Sequence, residues 1–186
     1  MTAARLRTLL AGMLLSLAIS SLSAQERVVV GAAGGATIPV STTADNFATG
    51  WDMLLTAQYT RARTPFGGEL SFFYHHLPRI GGAVGHLQAA DLTADLILSF
   101  PTDPRSKSAV RVSLAGGIGG YLMERSVGST KAKEYPFGVN GGGSFDLYMN
   151  RRRTAALFLD VRYHHLFTDQ DVDLVPINVG LKFRVK

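Results

Sequence analysis

Apolar and polar side chains alternate along the C-terminal part of the chain, from Ala155 to Lys186. One set of alternate positions is apolar, and the other set carries most of the charge. The apolar set includes Leu157, Leu159, Val161, Tyr163, Val179, Leu181 and Phe183, and the other set includes Asp160, Arg162, His164, Asn178, Lys182 and Arg184. Successive side chains of a β-strand point to opposite faces, so the pattern predicts strands with one apolar and one charged face.

The same period recurs upstream and divides the chain after residue 24 into eight predicted strands separated by turn-forming residues. The predicted strands are Arg27 to Ile38, Gly50 to Thr60, Gly68 to Leu77, His86 to Phe100, Ser108 to Glu124, Tyr135 to Met149, Thr154 to Phe167 and Leu174 to Val185. No linker-like stretch interrupts them. We therefore predict one domain over residues 25–186.

A secretory leader is predicted ahead of the strands. Arg5 and Arg7 precede an apolar run from Leu9 to Ile19, and small residues follow up to Ala24. This arrangement is typical of a signal peptide, so we expect residues 1–24 to be removed, with cleavage after Ser23 or Ala24. The alternative is a membrane anchor, but the apolar run is shorter than the roughly 20 residues that a transmembrane helix needs.

Composition narrows the class of protein. The chain has no cysteine, which excludes disulfides, thiolate metal sites and a lipid-modified N-terminal cysteine. Without Arg5 and Arg7 the 19 basic residues become 17, against 14 acidic residues, which leaves a net charge of +3. This small and scattered excess predicts no nucleic-acid partner.

An apolar outer face in contact with lipid requires a closed sheet. Hydrocarbon offers no partner for an unpaired backbone N–H or C=O group, so a sheet edge cannot face it. Eight strands close into a barrel whose interior is just filled by side chains. We therefore predict an all-β fold, an eight-stranded antiparallel up-and-down transmembrane β-barrel.

The predicted inward faces carry both signs of charge. These residues are Asp52, Glu69, Asp91, Asp95, Arg111, Asp146, Asp160, Arg162, Lys182 and Arg184. Buried charges are tolerated only when they are paired and hydrogen-bonded. We predict a nearly balanced salt-bridge network that fills the lumen rather than lining a wide pore.

Aromatic residues fall near the predicted strand ends on the outward face. They are Trp51, Tyr59, Tyr74, Phe100, Tyr163 and Phe183. Aromatic rings are enriched at the lipid headgroup level, so this set predicts the two girdles of a membrane barrel. The alternative is that they are ordinary strand aromatics.

The whole pattern resembles the superfamily of small outer-membrane β-barrels, the OmpA-like, OmpX-like and opacity-type proteins. The resemblance lies in the leader, the eight alternating strands, the glycine-rich middle at Gly116–Gly120 and Gly141–Gly143, and the closing strand with Leu181 and Phe183. The chain departs from that family by ending on Lys186 rather than on an aromatic residue. The resemblance implies a bacterial outer-membrane protein in contact with outer-membrane lipids, a monomer, with the chain ends and shorter turns in the periplasm and no cofactor.

A tetrapeptide occurs twice, as Tyr74-His75-His76-Leu77 and as Tyr163-His164-His165-Leu166. By parity, His75 and His164 face the lumen and His76 and His165 face the lipid boundary. The two copies lie on strands at opposite walls, so we predict that they share no metal ion. Histidines that hydrogen-bond near the lipid headgroups are the expected outcome.

Three functions are compatible with a barrel of this kind. We expect a non-enzymatic outer-membrane protein with a structural or surface-interaction role; a lipid-modifying barrel enzyme and a small pore are the alternatives. The segment from Val161 to Phe167 weakly resembles the lipid A deacylase region, but Phe167 stands where that family has its serine after His165. Without an activated hydroxyl, nucleophilic catalysis has no starting point. A soluble ligand-binding barrel would need the opposite parity.

Overall fold

The computed structural model describes residues 26–61, 64–82, 85–101, 108–128 and 130–185. The predicted signal peptide lies outside the described residues, so its cleavage stays a prediction. The strands are β1 Glu26–Val40, β2 Gly50–Arg61, β3 Phe66–Pro78, β4 Gly85–Phe100, β5 Val110–Val127, β6 Thr130–Glu134, β7 Phe137–Tyr148, β8 Ala155–Phe167 and β9 Val172–Arg184. Two short 3-10 turns lie at Ser41–Asp45 and Ile80–Gly82.

The strands form one closed antiparallel barrel. Strands pair with their neighbours in the chain, except that β7 pairs with β5 rather than with β6, and β1 pairs with β9 to close the sheet. Both β6 and β7 pair with β5, and they are two pieces of one wall separated at Pro136, whose carbonyl accepts a hydrogen bond from the Tyr121 amide at 2.9 Å. The barrel therefore has eight strand positions around its circumference, with β6 and β7 sharing one, which confirms the predicted fold class.

The structure adds strand residues between the predicted fifth and sixth strands, where the sequence pattern predicts a connection. The segment from Arg125 to Glu134 is a β-hairpin, in which β5 runs on to Val127 and pairs with β6. The segment Thr130–Glu134 is polar and charged and has no apolar alternation, so the sequence pattern did not mark it as a strand. Backbone hydrogen bonds with β5, rather than burial of an apolar face, form this strand.

The outer wall is apolar around the barrel. Large apolar side chains with the predicted outward parity are exposed, among them Leu55, Leu70, Leu92, Leu96, Leu114, Ile118, Leu159, Val179 and Leu181. Leu96 is the most exposed of these at 65%. Among the described residues, no helix is long and apolar enough to cross a membrane. A wall of this kind is stable only when lipid or detergent covers it.

Both ends of the described chain lie at the same end of the barrel, because Val29 in β1 faces Arg184 in β9. We call this end the periplasmic end, following the arrangement of outer-membrane barrels. The opposite end, which we call the outer end, holds the connection between β1 and β2, the hairpin of β5 and β6, and the connection between β8 and β9.

Glycine allows adjacent strands to approach closely where the sheet coils around the narrow lumen. A Cβ atom built on the inward-facing Gly142 would lie 2.7 Å from the Cα atom of Arg162 on β8. A Cβ atom on the outward-facing Gly141 meets nothing closer than the Ala115 carbonyl oxygen at 3.9 Å. The glycine-rich middle of the sequence therefore permits curvature on the inner side of the barrel.

Candidate functional site

Arg162 is the centre of a cross-lumen ion-pair network. Its Nη1 atom lies 2.9 Å from Asp95 Oδ2, its Nε atom lies 3.0 Å from Asp160 Oδ1, and its Nη2 atom contacts Glu69. Arg162 and Asp160 belong to β8, whereas Glu69 and Asp95 belong to β3 and β4 on the far wall. The side chain is 2% exposed, so the guanidinium group ties opposite walls together inside the barrel.

A second pair lies nearer the periplasmic end. Lys182 Nζ donates to Asp146 Oδ1 at 2.9 Å and lies 4.4 Å from the centre of the Phe158 ring. On the other side of Arg162, Asn178 Nδ2 donates to Asp52 Oδ2 at 2.8 Å. The sequence pattern placed Asn178 on the polar face but not in the network, because a neutral amide gives no charge signal.

Arg111 and Arg184 do not join this network. Both are half-buried at the periplasmic mouth, where Arg27 and Arg153 also lie. Within the described part of the chain, the buried lumen then contains two cations, Arg162 and Lys182, against six carboxylates: Asp52, Glu69, Asp91, Asp95, Asp146 and Asp160. The predicted near balance of charge is therefore wrong for the buried lumen, because positions 111 and 184 lie at strand ends beyond it.

His75 and His164 meet inside the barrel. Their ring centres are 5.7 Å apart. His75 Nε2 lies 3.1 Å from Asp91 Oδ2, and His75 Nδ1 lies 2.8 Å from Thr37 Oγ1. The premise that strands on opposite walls hold the two inward histidines apart is therefore wrong, and the prediction that they share no metal ion loses that support. The lumen of an eight-stranded barrel is narrow enough for side chains from facing walls to touch.

His76 and His165 face outward, as their parity predicted. Both lie near the outer end of the barrel. His76 stacks on Trp51 with ring centres 5.8 Å apart and lies 5.3 Å from the His86 ring. His165 Nδ1 lies 2.7 Å from Asp173 Oδ1, the same oxygen that accepts a hydrogen bond from the Tyr163 hydroxyl at 2.6 Å.

An apolar layer covers the histidines at the outer end of the lumen. Its buried members are Phe47, Leu77, Leu87, Tyr121, Met123, Leu166, Val172 and Leu174. Phe47 comes from the connection between β1 and β2, which Thr43 ties to β9 by accepting a hydrogen bond from the Asp173 amide at 3.0 Å. The sequence pattern did not place Phe47 in this layer, because Phe47 lies in a connection with no strand period.

Solved structures give the same architecture with little sequence identity. Neisserial surface protein A superposes with a TM-score of 0.61 at 13% identity, covering 84% of this chain and 96% of that one. A major outer-membrane protein of Thermus thermophilus gives 0.61 at 11% identity, with coverage of 86% and 98%. OprG of Pseudomonas aeruginosa gives 0.56 at 15% identity, with coverage of 86% and 93%.

The chain has the fold of the small eight-stranded outer-membrane β-barrels. No family model and no curated protein matches the sequence. What this chain shares with these structures is therefore the fold, a closed antiparallel barrel.

The six aromatic residues predicted to form girdles divide between the two ends of the barrel. Trp51, Tyr74 and Tyr163 lie toward the outer end, and Tyr59, Phe100 and Phe183 lie toward the periplasmic end. Five of these six side chains are exposed by 41–49%, and Tyr74 is half-buried against Trp51, with ring centres 5.5 Å apart. Both ends of the wall thus present rings where headgroups would lie.

The hairpin of β5 and β6 is the main surface feature of the barrel at its outer end. Glu124 Oε1 accepts from Lys131 Nζ at 3.1 Å, and Glu124 Oε2 lies 3.4 Å from Lys133 Nζ. Both ammonium groups lower the pKa of the Glu124 carboxyl group, and Lys131 has the larger effect. Tyr135, at the base of the hairpin, is 77% exposed.

Proposed function

We propose that this outer-membrane barrel is a non-conducting, non-enzymatic monomer with a structural or surface-interaction role. The observation that carries the proposal is the double closure of the lumen. The apolar layer that includes Phe47 and Leu87 closes the outer end, and the Arg162 network closes the middle. An ion crossing the barrel would have to break buried ion pairs and enter an apolar layer, and both steps are costly.

The surface role is supported by the chemistry of the outer end. The hairpin of β5 and β6 presents Lys131, Lys133 and the exposed side chains of Val127 and Tyr135 to solvent. Arg125 Nη2 donates to the Gln170 carbonyl at 3.4 Å, which links the hairpin to the connection between β8 and β9. A braced hairpin with mixed charge and an exposed aromatic ring is suited to contact a partner at the cell surface.

We expect the refolded protein to give no unitary conductance steps in planar lipid bilayers. A Phe47→Ala variant should also give none, because it opens only the outer layer and leaves the Arg162 network closed. Insertion is checked by the mobility shift between unboiled and boiled samples, and a known porin serves as the positive control. Reproducible steps from the unmodified protein would contradict the proposal.

The lipid-modifying alternative depends on His165, which Asp173 orients at the lipid boundary. The nearby Tyr163 hydroxyl donates to Asp173 rather than to His165. Among the described residues, no hydroxyl is hydrogen-bonded to His165, so no activated nucleophile supports acyl transfer there.

We expect lipid A from cells that express the protein to have an unchanged acylation pattern in mass spectra. Cells with an empty vector and cells with a His165→Ala variant should give the same spectrum. Lipid A that loses or gains an acyl chain only when His165 is intact would instead establish the enzyme.

A further inference from the structure

Three side chains of types that can ligate a metal ion converge in the lumen between the apolar layer and the Arg162 network. They are His75 on β3, Asp91 on β4 and His164 on β8, and each is almost fully buried. One ligand atom from each lies within 4.8 Å of the corresponding atoms of the other two. The repeated tetrapeptide supplies both imidazole rings, one from each of two facing walls.

Two polar atoms of this cluster have no hydrogen-bond partner among the described residues. They are His164 Nε2 and Asp91 Oδ1. A buried polar atom without a partner costs free energy, and such atoms are rare in folded proteins. A cation held between the three side chains would satisfy His164 Nε2, and it would also satisfy Asp91 Oδ1 if both carboxylate oxygens bind it.

The other nitrogen of each imidazole ring is already held. His164 Nδ1 lies 2.9 Å from the Tyr121 hydroxyl, and His75 Nδ1 lies 2.8 Å from the Thr37 hydroxyl. Histidines that ligate metals are typically oriented in this way, by a hydrogen bond at the nitrogen that does not bind the ion. When Nδ1 carries the proton in both rings, the His164 Nε2 lone pair is free for a cation, and a cation between His75 Nε2 and Asp91 would replace their present 3.1 Å contact.

The charge of the lumen favours a cation. Six carboxylates and two cationic side chains of the described residues are buried there, so ionised carboxylates leave a formal excess of four negative charges. Asp52 Oδ2 adds a carboxylate 3.8 Å from His75 Nδ1, on the side away from Asp91. A divalent ion between His75, Asp91 and His164 would offset half of this excess where it is most costly.

We propose that this outer-membrane barrel binds one divalent transition-metal ion through His75 Nε2, Asp91 and His164 Nε2. Two imidazole groups and one carboxylate suit Zn²⁺ or a similar first-row ion, with a fourth position open to water. Tetrahedral bonds of about 2.0–2.1 Å require ligand atoms roughly 3.3 Å apart, so ligand atoms that now lie up to 4.8 Å apart must approach each other by up to about 1.5 Å when the ion binds. Because the site is enclosed, the ion is captured during folding and exchanges slowly.

The test uses metal retention after folding. The full mature chain is refolded into detergent micelles with Co²⁺ or Zn²⁺, passed through a desalting column and analysed for metal by mass spectrometry. We expect about one ion per folded chain, and for Co²⁺ the intense visible absorption of a tetrahedral site. A His75→Asn/His164→Asn variant should lose at least about nine-tenths of the bound metal.

The outward histidines provide the matched control. A His76→Asn/His165→Asn variant removes the same number of imidazole groups from the same two tetrapeptides, and it should retain the metal. Folding of each variant is checked by the mobility shift between unboiled and boiled samples. If the inward double variant does not fold, His164→Gln alone, which leaves the His75–Asp91 contact intact, replaces it and should lose the metal.

Three results would overturn the proposal. In the first, the folded unmodified protein retains no metal. In the second, the inward and outward variants retain equal amounts, which means adventitious binding only. In the third, bound Co²⁺ lacks tetrahedral absorption and is removed at once by a chelator, which means that the ion lies on the surface.

Discussion

Replacing Arg162 with methionine is expected to destabilise the folded barrel by about 3–5 kcal/mol, the usual cost of removing one partner from a buried ion pair. The substitution leaves Glu69, Asp95 and Asp160 without the cation that all three now contact. These carboxylates come from two facing walls, so their repulsion acts directly against barrel closure. The apolar methionine side chain roughly fills the space, which makes the loss mainly electrostatic.

The measurement is the urea midpoint of folding into lipid vesicles, followed by the mobility shift between unboiled and boiled samples. Arg111→Met is the matched control. Arg111 is half-buried at the periplasmic mouth, so its replacement should lower the free energy of unfolding by at most about 1 kcal/mol. Adding Glu69→Gln and Asp95→Asn to Arg162→Met should recover part of the lost stability. Equal midpoints for Arg162→Met and Arg111→Met would show that the cross-lumen network does not hold the barrel closed.

Replacing Gly142 with alanine is expected to lower the free energy of unfolding by about 3 kcal/mol or more, at the upper end of the range for an overpacked interior. The new methyl group would point at the backbone of β8, 2.7 Å from the Arg162 Cα atom, and backbone cannot rotate away as a side chain can. The two strands must separate, which weakens their hydrogen bonds and displaces Arg162 from its carboxylates.

Gly141→Ala is the adjacent control. Its methyl group points outward into open space, so its effect should be within about 1 kcal/mol, and it can be stabilising because alanine restricts the unfolded chain. Both variants are compared by urea midpoint in the same vesicles. A midpoint for Gly142→Ala equal to that of Gly141→Ala would mean that the sheet has room to relax between β7 and β8.

These two predictions test the physical basis of the proposed function. The ion-pair network and the tightly coiled sheet close the lumen. Other molecules can therefore reach only the outer surface of the barrel. The proposed metal site would add a further link across the lumen beside the Arg162 network, because its ligands come from β3, β4 and β8. It is independent of whether the surface has a protein partner.

The alternation of side chains along each strand is a local property, and sequence was enough to predict it. Asp95 and Lys182 face the lumen, and Leu96 and Leu181 beside them face outward, because neighbouring residues of a strand must point to opposite sides. Closure followed from the requirement that lipid leaves no backbone group unpaired. Parity therefore determined the fold class and the side of the sheet on which each strand residue lies.

Parity did not determine which inward side chains meet. That depends on the stagger between strands and the width of the lumen, which only the closed barrel specifies. For this reason the structure alone showed that His75 touches His164 and that Arg111 lies at the mouth. It also showed that Phe47 enters the apolar layer. The sequence by itself determined the two faces of this barrel, and the tertiary structure decided the contacts across its lumen, because those contacts join residues far apart in the chain.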